Sequence, residues 1–190
     1  MKKLLLLSLA ISLGASGCGG GGGGSAELRT SYVTAASGTA SLDADVISWV
    51  DASGAKATAC AATSNASTPA ADTVNVSVVS TTYSNTGSVG LPIRIESATI
   101  SYAPANTATP PMASEFQTIG VIMTNGGTAS VPVRVVSQEQ KLRLQPKLAC
   151  NATIYNYYTT ITLNVTEIGT ETKSTVTTSF QLRLADFVDK

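Results

Sequence analysis

A chain of 190 residues and 19.4 kDa with twelve basic and twelve acidic side chains has room for one domain, or two very small ones. It contains no histidine, which excludes Ser-His-Asp, Cys-His and histidine–zinc chemistry outright. It also lacks the concentration of Lys and Arg needed to displace counterions from nucleic acid, so nucleic acid is excluded as a partner.

In chain order, Lys2 and Lys3 form a positive n-region and residues 4–13 an apolar h-region. Ten residues, apolar but for Ser8 and Ser12, are too few to cross a bilayer core, which takes about 20 as a helix, so residues 1–17 read as a signal peptide. Small residues then precede a cysteine at Ala15-Ser16-Gly17-Cys18. This resembles the lipobox of bacterial lipoproteins, with Ala15 where Leu is commonest. The resemblance implies that the Cys18 thiol receives a diacylglycerol, that the signal is cut before it, and that the new amino group is acylated. It also implies an outer-membrane destination, because Gly19 rather than Asp follows the cysteine. Without Lys2 and Lys3 the chain from Cys18 onward carries a net charge of about −2. Residues 19–24 are all glycine, so residues 18–25 read as a lipidated cysteine on a flexible tether with an r.m.s. span of about 15 Å.

Residues 26–190 read as a single domain. Ser and Thr account for 45 of the 173 residues from Cys18 onward. Threonine and valine suit a pleated, half-buried surface and are indifferent helix formers. Period-two alternation recurs at Val74, Val76 and Val78, at Ile93, Ile95, Ile100 and Tyr102, and at Val131, Val133 and Val135. It recurs again at Leu142 and Leu144, at Ile161, Leu163 and Val165, and at Phe180, Leu182 and Leu184. Residues 28–35, 42–50 and 56–62 are earlier strand candidates. Residues 169–172 predict a hairpin loop, Asn125-Gly126-Gly127 a turn, and residues 106–113 a longer loop. No helical apolar stripe stands out after the signal peptide.

Eight to ten such strands predict an all-β fold, an antiparallel two-sheet sandwich. The resemblance to immunoglobulin-like domains is one of architecture: Trp49 precedes Cys60 instead of following it, and Leu148 stands where a tyrosine would be expected. A transthyretin-like or other Greek-key sandwich fits equally well.

Cys60 and Cys150 remain once Cys18 is assigned to lipid. An even pair in an exported chain predicts a disulfide, closing a loop worth about 4–5 kcal/mol in the chain-entropy model. Asp43, Asp45 and Asp51 form the densest acidic cluster, a weak start on a calcium site without EF-hand spacing; a solvated strand edge is the alternative, and no metal is expected. Tyr155, Tyr157 and Tyr158 form a candidate glycan- or protein-binding surface, with Tyr155 and Tyr157 on the face of Ile161 and Tyr158 opposite. Trp49 is expected in the core. Arg134, Lys141, Arg143 and Lys147, offset by Glu139, suggest a basic outward strand face. Asn65, Asn75, Asn151 and Asn164 begin Asn-x-Ser/Thr matches to which no function is assigned. Glu96 and Glu167 lie nearest to apolar runs, and both are expected to be solvated with ordinary pKa values.

These readings predict a non-catalytic structural or binding module, anchored in the envelope membrane through lipid on Cys18. It would need no cofactor and would engage an envelope protein or surface polymer. The alternatives are a carboxylate-based glycan hydrolase and a subunit of a secretion or pilus assembly.

Overall fold

Alternating Val, Ile and Thr place one face of each strand in a shared core. In the computed structural model, residues 23–57, 60–61, 64–67, 69–83 and 90–187 are described. Ser25–Glu27 (β1), Ser31–Ser37 (β2), Ser41–Asp45 (β3) and Ser48–Val50 (β4) lead to Asn65–Ser67 (β5) and Asp72–Thr82 (β6). Ile93–Pro104 (β7), Glu115–Met123 (β8) and Thr128–Val136 (β9) precede the helix Gln138–Leu148 (α1). Tyr155–Glu167 (β10) and Thr172–Ala185 (β11) complete the fold.

The strands form a four-stranded sheet in the order β1-β2-β6-β9 and a five-stranded sheet in the order β3-β11-β10-β7-β8, with β4 and β5 paired apart. Val33, Val76 and Val133 from the first sheet and Ile95, Ile161 and Leu182 from the second are wholly buried in one core. All pairs are antiparallel except β3 with β11, where Leu42 lies opposite Leu182 in a parallel register. The longest hairpin joins β10 and β11 from Tyr155↔Leu184 to Glu167↔Thr172. Its turn depends on Gly169 at φ +104°, a conformation costly for residues with a Cβ.

The chain joins the two sheets within the run read as a tether. Gly24 N donates to Thr177 O of β11 at 2.6 Å, while Gly24 O accepts from Ala35 N of β2. Gly23 bridges Thr178. Glycine is needed here, because a Cβ on Gly24 would stand 2.5 Å from Thr177 Oγ1 and one on Gly23 2.7 Å from Ala35 O. Gly23 and Gly24 therefore belong to the fold, ahead of the expected boundary at residue 26. At the opposite seam a side chain bridges the sheets: Gln117 Oε1 accepts from Arg134 N at 2.9 Å.

Local structure departs from expectation at three places. The described part of residues 56–62, expected as a strand, holds only a bridge from Lys56 to Val50. Residues 141–145, read as a strand, lie inside α1. A capping box starts this helix, with Ser137 Oγ accepting from Gln140 N and Gln140 Oε1 accepting from Ser137 N. Strong helix formers follow, and Lys141 and Leu148, one heptad apart, are buried while Leu142 is exposed. The two-residue spacing of Leu142 and Leu144 imitated a strand. Conversely, β8 has no counterpart among the predicted strands. Its outward positions include Phe116 and Ile122, so apolar residues occupy both faces and hide the alternation.

Candidate functional site: the outer face of the five-stranded sheet

In β10 the odd residues from Tyr157 to Val165 are buried, which turns Tyr158, Thr160, Thr162 and Asn164 outward. Register extends this face across four strands. One row runs Phe116, Thr99, Thr162, Thr177; another runs Ile122, Arg94, Thr166, Lys173. Phe116, Ile122 and Tyr158 are 65%, 63% and 62% exposed. Hydroxyl, amide and charged side chains fill the space between these apolar groups. From Phe116 to Tyr158 the backbone-to-backbone span is about 16 Å, two strand spacings across and four residues along.

A register shift in β7 around Glu96 opens this face into a groove of about 360 Å³. Glu96, Ser97, Asn164, Lys173 and Thr175 line it. Asn164 Nδ2 donates to Ser97 Oγ at 2.9 Å, and Arg94 Nη2 lies 3.1 Å from Glu96 Oε1. The neighbouring Thr166 hydroxyl, aided by Arg94 and Lys173, holds the Glu96 carboxyl below its usual range. Glu96 is thus an anionic acceptor beside a lysine and an amide, able to receive hydrogen bonds from hydroxyl or amide groups.

The tyrosines divide. Tyr158 is exposed as expected and Tyr155 is half-buried. Tyr157 belongs to the core, where its hydroxyl donates to Pro110 O at 2.9 Å and burial pushes its pKa up to about 12. Tyr157 is therefore no part of a binding surface. Odd parity in β10 faces the core, and that assigns it.

Cys60 and Cys150 form a disulfide with Cα atoms 5.6 Å apart. Asp186 serves this corner: it accepts from Cys150 N at 2.6 Å and from the indole N–H of Trp49 at 3.1 Å. Trp49 is accordingly half-buried against the core. Among the described residues, Cys60, Cys150 and Asp186 are the grouping of metal-ligand types, and both sulfurs are already bonded to each other.

The three acids of the calcium candidate have separate roles. Asp43 pairs with Arg183 at 3.1 Å, Asp45 accepts from Ile47 N, and Asp51 caps a turn through Ser53 and Ala55. Bonds from Ser53 and Ala55 hold Asp51 below its ordinary value.

The basic patch does not form. Arg134 pairs with Glu115 and Arg143 with Glu139, while Lys147 is exposed. Lys141 is buried, because the helix turns it inward. Asn65, Asn75 and Asn151 are exposed.

Glu167 also departs from expectation, being wholly buried. Burial pushes its carboxyl up, but bonds from Thr30 N at 2.9 Å, Thr30 Oγ1 and Thr170 Oγ1 outweigh this and hold it below the usual range. The loop before β2 supplies Thr30, a partner 137 positions away that local sequence could not reveal.

Cys18 lies outside the described residues. No known protein family, curated protein or solved structure matches the chain.

Proposed function

We propose that this chain is a lipid-anchored bacterial envelope protein whose sandwich is a non-catalytic binding module. It contacts a surface polymer or another envelope protein through the outer face of the five-stranded sheet. The observation carrying this reading is the exposure of Phe116, Ile122 and Tyr158 on the same sheet face as a polar groove. Large apolar groups left in water on a hydroxyl-rich sheet lose hydration cost when a partner covers them. Polar neighbours such as Asn164 and Glu96 then fix orientation.

Two carboxylates favour binding over hydrolysis. A glycosidase needs one carboxyl kept protonated near neutral pH, whereas Glu96 and Glu167 are both held below their ordinary values, and Asp72, which burial pushes up, is tied to Lys141 at 2.9 Å.

The test is cross-linked co-purification of the mature protein from envelope membranes, in parallel with a Phe116→Ala/Tyr158→Ala variant. A stoichiometric protein or glycan partner lost in the variant supports the reading. A partner retained equally by both proteins refutes the assigned face. Cys18→Ser should abolish fatty-acid labelling, and unchanged labelling would refute the anchor.

A further inference from the structure

We infer that the seam between β2 and β11 is the surface this protein turns toward the lipid headgroups. The inference rests on acylation of Cys18, as proposed above, and adds which side of the domain meets the membrane. It begins from Gly23 and Gly24, which are stitched between the two sheets rather than forming the end of a free tether.

That stitching shortens the leash. Only Gly19 to Gly22 separate Cys18 from Gly23, five backbone steps in all. Five steps reach at most about 18 Å fully extended. As glycine coil their r.m.s. span is about 12 Å. β10 alone, 13 residues long, spans about 43 Å, more than twice the extended reach, so the domain cannot tumble freely above its anchor.

The point of attachment selects the side. Gly23 pairs with Thr178 of β11 and Gly24 with Thr177 and Ala35, so Cys18 lies within about 18 Å of the seam between β2 and β11 whatever path residues 19–22 take. Beside that pair, Ser37 N of β2 donates to Thr178 Oγ1 of β11 at 2.8 Å.

The surface around the exit is chemically suited to a headgroup layer. Gly23, Ser25, Ala36, Gly38, Ala40 and Thr177 are exposed there, and none carries a charge. A domain of net negative charge approaches anionic lipid at lower cost through such a patch, whose flanking carboxylates are Glu27 on β1 and Asp43 on β3, the latter paired with Arg183. With this seam down, β8 and β9 form the membrane-distal seam. The outer face bearing Phe116 and Tyr158 then stands upright and open to a partner.

Ala36, Ser77 and Ser130 lie in one cross-strand row, so Ala36 and Ser130 differ mainly by two strand spacings from the seam, about 10 Å. With Cys18 acylated and Cys60–Cys150 bridged, Ala36→Cys or Ser130→Cys supplies the single free thiol for a fluorophore. The labelled full-length lipoproteins are placed in phosphatidylethanolamine–phosphatidylglycerol vesicles containing a headgroup nitroxide lipid. Quenching should be several-fold stronger at Ala36→Cys than at Ser130→Cys. A twenty-residue Gly/Ser insertion after Gly22 should erase most of the difference, since it raises the r.m.s. span to about 27 Å. Equal quenching at both positions without the insertion, or stronger quenching at Ser130→Cys, overturns the inference. Mass analysis of the N-terminal peptide separates the two levels. An acylated Cys18 with the wrong quenching order rejects only the orientation, whereas an unacylated Cys18 rejects the anchor and the orientation with it.

Discussion

Lys141 Nζ lies 2.9 Å from Asp72 Oδ2, with the lysine side chain only 1% exposed, so that α1 is clasped to the start of β6 by an ion pair. Lys141 also donates to Ala70 O at 2.6 Å. Burial pushes the Asp72 carboxyl up, and its bond to Lys141 opposes that shift. Replacing Lys141 with Met removes the compensating charge and leaves Asp72 partly buried. Because Asp72 keeps some contact with water, the expected loss is about 2–3 kcal/mol, below the range for fully buried pairs. A Lys141→Met/Asp72→Asn double variant should recover at least half of it. Urea denaturation measures both, and a double variant less stable than the single one would contradict this account.

Glu167 should make the fold acid-sensitive. Its folded-state pKa lies below the unfolded value, so the unfolded chain takes up the proton first. The stabilisation is then complete above the unfolded glutamate pKa of about 4.3 and is lost as pH falls through the folded value. Urea midpoints should decline below about pH 4.5, and Glu167→Gln should flatten that decline while lowering stability at pH 7. A parallel decline in both proteins would assign the acid sensitivity elsewhere.

Removal of the Cys60–Cys150 bridge should cost less than its loop length suggests. A loop of this size is worth about 4–5 kcal/mol in the chain-entropy model. Both cysteines sit at positive φ, 62° and 57°, a conformation costing about 1 kcal/mol or more per residue. Cys60→Ala/Cys150→Ala relaxes the hold on these conformations, so the expected net loss is about 2–3 kcal/mol by urea denaturation. A loss above the full chain-entropy value would show that the backbone strain is not released.

Gly24→Ala tests the stitching of the sheets. The added methyl would meet Thr177 Oγ1 at 2.5 Å and Thr177 O at 3.1 Å, so either β11 or the entering strand must move. The expected loss is about 1–3 kcal/mol. Amide exchange should rise at Ala35, whose N–H donates to Gly24 O. Unchanged exchange there would show that the glycine pair is not held between the sheets.

The sequence by itself determined the β class, the core parity of the longest strands and the partners in the disulfide. Each depends on a local period or a simple count: Ile161, Leu163 and Val165 declare an inward face through neighbours, and of three cysteines two remain to pair once the lipobox resemblance sets Cys18 aside. The same locality misled at Lys141, where a two-residue leucine spacing outweighed the Ser137–Gln140 capping box, and at β8, where apolar residues lie on both faces. Tertiary structure alone decided that Glu167 is buried, because Thr30 is brought to it across 137 positions. It alone decided that Gly24 joins β2 to β11, and that Phe116, Ile122 and Tyr158 share one outer face. Such features depend on strand order and register, and chain-distant partners set these through hydrogen bonds and core packing that no local period encodes.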